Sequence, residues 1–332
     1  IDDLRLSSVF INMQFAFMVV PMTSIYGLST QSSFFMLLIS TMHVMQSILF
    51  RIKTNIPRIK IDNQNSSKIF KIFLFILIIF TLLIAIKANG VPNLDALNFN
   101  LTYVIRESIK EPFPINYTAT WIAKVICPFF IALYYYKKRY LMMIPFIIIE
   151  FIFFLIFTHK TYLFVSIMVL VVMFAHKRGR FIEKMYVFLG VAALTTTLIY
   201  LFKGSQMLVT MFPRRVLYVP AILKFQYYDF FSVNPKVFFA DGIIGKLLGV
   251  DSPYQRSVAY TIAYEFFGVE SMANTGYWGD AYANMGVLGV ILFSIVLVLI
   301  VKYIEINTNN LNISFVISST FFSFYILNDG AL

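Results

Sequence analysis

The side chains with chemistry to offer gather between Lys203 and Ala283. In Thr210-Met-Phe-Pro-Arg-Arg215, two adjacent guanidinium groups follow a proline. Proline suits the first turn of a helix, so the spacing predicts a helix start at Pro213, with Arg214 and Arg215 at the positive end of its dipole. A cation there is disfavoured by a few tenths of a kcal/mol or more. Two arginines beside free backbone N–H groups make sense when an anion sits among them, and phosphate is the usual occupant. The plainer reading makes them anchors on lipid headgroups. In Tyr227-Tyr228-Asp229-Phe230-Phe231 a carboxylate stands within an aromatic run. Asp229 there orients an arginine, holds a sugar hydroxyl, or serves only as a local ion pair or cap. Tyrosine and tryptophan favour the membrane interface, and their faces also stack on sugar rings. Asn274-Thr-Gly-Tyr-Trp-Gly-Asp-Ala-Tyr-Ala-Asn284 then presents Asn274, Asp280 and Asn284 where the next apolar run begins. Gly276 and Gly279 allow close backbone approach. If this stretch is helical, Asp280 and Asn284 share a face. Met285-Gly-Val-Leu-Gly289 reads as helix packing through small residues.

Elsewhere reactive groups are sparse. Glu150 lies in mid-run and is costly to bury in lipid, so it is a functional candidate or a protonated, hydrogen-bonded helix contact. Lys124 and Lys160 read as snorkelling side chains, and Lys160, beside His159 in a very tight turn, is also placed to meet a diphosphate. Cys127 is the single cysteine, so no disulfide forms within the chain and no thiolate cluster holds a metal. His43, His159 and His176 lack metal-site spacing, and the long loop holds no DxD-like motif; no metal and no cofactor are expected. The sequons at Asn100 and Asn116 are weak matches.

The elements that must position these residues are membrane helices. Of 332 residues 59% are hydrophobic and 13% charged, with a mean hydropathy of +0.79. A soluble domain carries roughly 25% charged residues, so a chain this apolar needs lipid as its solvent. Apolar runs long enough to span a bilayer fall near Ser7–Tyr26, Ser33–Phe50, Ile69–Ala88, Thr118–Tyr136, Leu141–Phe157, Thr161–Ala175, Met185–Phe202, Asn284–Tyr303 and Ile313–Leu327. The first two and the last are the weakest. The expected fold is therefore all-α and polytopic, with about nine transmembrane helices and one long helical loop, Lys203–Ala283, broken into short helices at Pro213, Pro220, Pro235 and Pro253.

The net charge of +11 is explained by topology rather than by nucleic acid, which is not expected as a partner. Arg51, Lys53, Arg58, Lys60, Lys68 and Lys71 cluster in one loop. Lys137-Lys138-Arg139 fills a second, and Lys177, Arg178, Arg180 and Lys184 a third. Every second loop is basic, which assigns those loops to the cytoplasm and the segments Asn89–Tyr117 and Lys203–Ala283 to the outside. The chain opens at Ile1 and stops at Leu332, just past a span. It reads as a single transmembrane domain, 1–332, from a longer chain.

Three segments carry a resemblance: Pro213-Arg-Arg-Val-Leu-Tyr-Val-Pro220, Tyr227-Tyr-Asp-Phe-Phe-Ser232 and Asn274-Thr-Gly-Tyr-Trp-Gly-Asp-Ala-Tyr-Ala-Asn-Met-Gly286. With the turn Thr158-His-Lys-Thr161 and the order of spans, they resemble the oligosaccharide repeat-unit polymerases of bacterial surface polysaccharides, the O-antigen polymerase (Wzy-type) family. The likeness covers most of the chain, with specific motifs only in the long loop. It implies a GT-C-like architecture in the bacterial inner (cytoplasmic) membrane. It also implies a glycosyltransferase that moves a growing glycan from undecaprenyl diphosphate to an acceptor sugar hydroxyl on the outer face. Flippase and chain-length regulator proteins would be its partners, beside the lipid-linked oligosaccharides and the bilayer. The leaving group is a diphosphate, so the main demand is stabilising charge on phosphate oxygens. Arg214 and Arg215 would supply that, with Arg256 and Lys160 as auxiliaries. Asp280 is the candidate general base, ahead of Glu265 and Asp229. Tyr228, Asp229, Asn274 and Asn284 would bind the sugars.

The related O-antigen ligases typically carry a histidine just before the corresponding span. None stands near Asn274 and Thr275, which favours a polymerase. The main rival of another class is a flippase or other transporter of lipid-linked oligosaccharides, which would place ionisable groups on broken helices near the midplane. Glu150 is the clear candidate for that role. A membrane scaffold for an assembly complex is the third reading.

Overall fold

A computed structural model describes residues 5–57, 64–98 and 101–330 of the chain. The sequon at Asn100 and the basic residues Arg58 and Lys60 lie outside these. The protein is an all-α polytopic membrane protein, with no strand among the described residues. Eight helices are long and apolar enough to cross a bilayer: Leu6–Leu28, Ser33–Arg51, Lys68–Asn89, Ile115–Tyr136, Tyr140–Phe157, Lys160–Lys177, Phe181–Lys203 and Tyr277–Thr308. They match the first eight expected spans in order, and the two weakest of these are full-length helices. The ninth, Ile313–Ile326, has 14 residues, or about 21 Å of helix, and so is shorter than the roughly 30 Å hydrocarbon layer.

Prolines account for the irregular turns. Among the described residues three π-helical segments occur, Phe15–Val19, Ile122–Ile126 and Thr210–Tyr218. Each is followed by one residue and then a proline: Val20-Pro21, Cys127-Pro128 and Val219-Pro220. A proline donates no hydrogen bond and its ring clashes with the carbonyl four residues back. A widened turn just before the proline relieves that clash, which is one origin of a π-bulge. Helix therefore runs without a break through 206–233. The breaks expected at Pro213 and Pro220 do not occur, because the π turn absorbs both rings. Pro235 and Pro253 do lie outside helices.

The chain divides into two compact units, 1–56 with 180–306 and 324–332, and 57–179 with 307–323. In the second unit, Phe130 stacks on Phe146 at 4.6 Å. Glu150, 1% exposed, accepts a hydrogen bond from Ser166 Oγ on the neighbouring helix Lys160–Lys177. Its other oxygen meets no hydrogen-bond partner among the described residues. The tight turn between the helices ending at Phe157 and starting at Lys160 is real. Thr158 takes the left-handed conformation that ends a helix, and Arg106 Nη2 donates to its carbonyl at 2.7 Å. His159 lies beside Glu111, 2.9 Å from Nε2 to Oε1.

Candidate functional site

The geometry of the first unit is set at Met285 and Gly286, where the helix Tyr277–Thr308 has non-helical backbone. Gly286 has φ +63° and ψ −142°, a region that side-chain-bearing residues enter only at a cost. The kink is sharp enough to reverse the chain. Trp278 and Ser294, 16 residues apart, are joined by a 3.2 Å hydrogen bond from Nε1 to Oγ. In a straight helix they would stand about 24 Å apart. Tyr277–Asn284 is therefore a short helix folded back along the span that follows. The close approach is possible because Gly289 has no side chain: a Cβ there would lie 2.1 Å from the Ala281 carbonyl oxygen. The expected role of Gly289 in packing holds, whereas Gly286 makes the kink instead of a helix contact.

Both glycines give a stability test. Gly286→Ala forces a strained backbone, at a cost of about 1–3 kcal/mol, and Gly289→Ala overpacks against a carbonyl at about 1–3 kcal/mol. Both variants are expected to unfold at lower temperature in detergent. Gly190→Ala, where a Cβ meets nothing within 4 Å, should leave the transition unchanged or raise it. An unaltered midpoint for Gly289→Ala would contradict the folded-back arrangement.

The returning helix is anchored in the apolar interior. Tyr277 and Trp278 are fully buried. The Tyr277 hydroxyl accepts from Gln14 Nε2 at 2.7 Å and donates to Gln46 Oε1 at 3.3 Å. Gln46 Nε2 donates in turn to the Ser294 carbonyl at 3.1 Å. Glutamines inside two apolar spans thus meet on one tyrosine hydroxyl, which ties the helix carrying Asp280 to both spans.

Asp280 and Asn284 do share a face. Asn284 Nδ2 donates to the Asp280 carbonyl at 2.9 Å and lies 3.3 Å from its carboxylate. Asn284 was expected on a sugar, but it is 7% exposed and its Oδ1 accepts from the Phe239 backbone N–H at 2.6 Å. Both ends of its amide are committed, and it joins Asp280 to the loop. The turn beside it donates from Val237 N to the Ala283 carbonyl and from Phe238 N to the Asn284 carbonyl. Phe238 and Phe239 both have positive φ, so this backbone is strained where it meets the returning helix.

Lys236, which the sequence reading passed over, completes this corner. Its ammonium sits 4.5 Å from the Tyr282 ring centroid and donates to the Phe231 carbonyl; burial lowers its pKa. Tyr228 lies against both Phe35, stacked at 4.7 Å, and Tyr282, tilted at 4.9 Å. Tyr227 directs its hydroxyl to the Ala273 carbonyl. Burial raises its pKa, and the carboxylates of Asp280 and Asp241 add to that.

The other candidates are spread out. Arg214 and Arg215 are exposed and lie inside the continuous helix 206–233, within its π-helical stretch. They do not stand at a helix N-terminus, so the dipole argument for an anion there falls; adjacent exposed guanidinium groups remain. Asp229 is exposed and burial raises its pKa. It makes no ion pair among the described residues, so of the roles open to it the ion pair and the arginine contact are not seen. Arg256 pairs with Glu270 at 3.0 Å and lies over Tyr264. Asn274 and Glu265 are exposed. Lys160 starts its helix in the second compact unit, and Asn116 lies in that unit too.

The chain matches no protein-family model, no curated protein and no solved structure.

Proposed function

We propose that the protein is a glycosyltransferase of the repeat-unit polymerase kind, lengthening a glycan held on a polyprenyl diphosphate. The observation that carries this reading is the corner at the kink. There a carboxylate, Asp280, is held by Asn284 on the short returning helix, and the same helix carries Tyr282, which packs on Tyr228 and lies under the Lys236 ammonium. A carboxylate suits deprotonation of an acceptor hydroxyl, cations suit a departing diphosphate, and aromatic edges and faces suit sugars. In this reading Arg214 and Arg215 receive the diphosphate from the exposed side of their helix. The likeness of the three loop segments to O-antigen polymerases supports the same assignment. Purified protein supplied with lipid-linked repeat units should yield a ladder of longer lipid-linked products. Protein that moves such lipids across liposomes but never lengthens them would overturn it.

That second outcome describes the transporter reading, which the kinked helix and the buried Glu150 in a span favour, since transporters bind on broken helices with ionisable groups inside the bilayer. The transferase is preferred because one short returning helix carries both Asp280 and Tyr282, the ring on which Lys236 and Tyr228 converge.

The reading requires the loop 203–283 to face the outside of a bacterial inner membrane, as the alternate basic loops imply. Cysteines introduced at Ser232 and Ser252 are expected to react with an impermeant thiol reagent in intact cells, or in spheroplasts where an outer membrane is present. Labelling that appears only after the inner membrane is opened would refute the topology.

A further inference from the structure

Lys224 is fully buried and lies on the helix Val219–Val233 of the long loop. It takes no part in the corner at Asp280. Its three N–H donors meet three oxygens: the Pro220 carbonyl at 3.0 Å, the Asn328 carbonyl at 2.7 Å and Asn328 Oδ1 at 3.0 Å. An ammonium has three donors to give and a neutral amine two, so this arrangement is filled by the charged form. Asn328, 1% exposed, is shared further. Its Nδ2 donates to the Val216 carbonyl at 3.3 Å. That carbonyl lies four residues before Pro220, where a proline cannot supply the usual helical N–H. The residue before Asn328 reaches the other half of the corner: the Leu327 carbonyl accepts from Tyr277 N at 3.0 Å. Gly276 packs so closely that a Cβ would lie 2.3 Å from the Asn328 carbonyl oxygen.

One turn, Leu327–Asn328, thus holds two elements at once. On one side is the arginine helix, gripped at Val216, next to Arg215, and at Lys224, four residues before Tyr228. On the other is the returning helix, gripped at Tyr277, three residues before Asp280. We infer that Lys224 and Asn328 are positioning residues, which together set the arginine helix in register with the helix of Asp280. Neither is a catalytic residue; each acts by where it holds others. The inference rests on the transferase reading for its consequence in catalysis, while the tie itself is a matter of geometry.

The charge on Lys224 supplies a test that ordinary packing would not answer. Burial pushes its pKa down to about 7, and Asp329 opposes that shift. Among the elements packed against this helix, Val20–Leu28 carries no charged side chain, Val258–Phe267 brings the exposed Glu265, and Thr210–Tyr218 brings the exposed Arg214 and Arg215. Asp280 and Asp241 act on the neighbouring Tyr227. As pH rises through the lysine's titration the amine keeps two donors for three oxygens, so the tie loosens.

Hydrogen–deuterium exchange of the full chain in detergent, corrected for the intrinsic pH dependence of exchange, reads the tie directly. Amides of 216–228 and 276–284 in the unaltered protein should lose protection at least tenfold between pH 6 and pH 8.5. Lys224→Met should show the loosened pattern at both pH values, and Asn328→Asp, which sets a carboxylate beside the ammonium, should move the transition to higher pH. Should Lys224→Met fail to fold, Asn328→Ala removes two of the bonds and keeps the backbone one; it should loosen both segments at pH 6. Protection that does not depend on pH in the unaltered protein, or that Asn328→Ala leaves intact, overturns the tie. Chain growth should fall in parallel with protection, and loosening with undiminished chain growth overturns the positioning role. If the unaltered protein makes no ladder at all, the transferase reading fails, and the exchange results still decide the tie by themselves.

Discussion

Asp280→Asn is expected to slow chain growth by about 10²–10⁴-fold while leaving the protein folded. Asparagine keeps an oxygen where the Asp280 carboxylate meets Asn284 Nδ2 at 3.3 Å, and the bond from that amide to the Asp280 carbonyl is independent of the side chain. It therefore preserves the local structure and removes only the ability to take a proton. The competing role is structural, because Asp280 lies in the first turn of its helix, where a carboxylate is stabilising in its own right. The two roles separate cleanly. If Asp280 only supports the helix, Asp280→Asn should work almost normally while Asp280→Ala loses about 1 kcal/mol of stability. If it is the base, both variants are inactive and only the alanine is destabilised. Thermal unfolding measured beside product ladders decides between them, and near-normal ladders from Asp280→Asn would remove Asp280 from the chemistry.

Alanine at Arg214 or Arg215 is expected to abolish chain growth, a loss of at least about 10²-fold for a missing donor to a developing phosphate charge. Expression and insertion should stay near normal, since both side chains are exposed. Lysine at either position should restore part of the activity, because a point charge cannot reproduce the planar, two-pronged donation of a guanidinium. Placed inside a π-helical stretch of a continuous helix, the arginines gain nothing from a helix end, so any anion they hold is held by their side chains. Their effect should accordingly be sensitive to salt, which screens exposed charges over about 10 Å at 0.1 M. Full activity in both alanine variants would take them out of the mechanism, and the corner at Asp280 and Lys236 would have to bind the diphosphate unaided.

Much of the architecture was legible because membrane insertion is close to a sum over consecutive residues. A run of apolar side chains about 20 residues long spans a bilayer whatever the rest of the chain does, and the eight long helices fall where composition alone puts them. The same locality made the pairing of Asp280 with Asn284 readable, since residues four apart on a helix are neighbours. It also misled. Pro213 and Pro220 are strong local signals for a helix boundary, yet in this fold a wide π turn accommodates them. Gly286 and Gly289 looked like one packing motif until the backbone at 286 turned out to reverse the chain.

What the sequence by itself determined was therefore the set of spans, the basic loops between them, and the stretch of loop where reactive side chains gather. What only the tertiary structure decided was which of those side chains meet. Tyr277 joins Gln14 across 263 residues, Lys224 joins Asn328 across 104, and Asn284 turns inward to Phe239 across 45. None of these residues carries a local mark of its partner. A buried amide or ammonium must find a partner somewhere, because leaving it unsatisfied in a low-dielectric interior costs about 1–3 kcal/mol or more, but that demand names no address. The address comes from the way the spans pack and from the kink at Gly286, both properties of the folded chain.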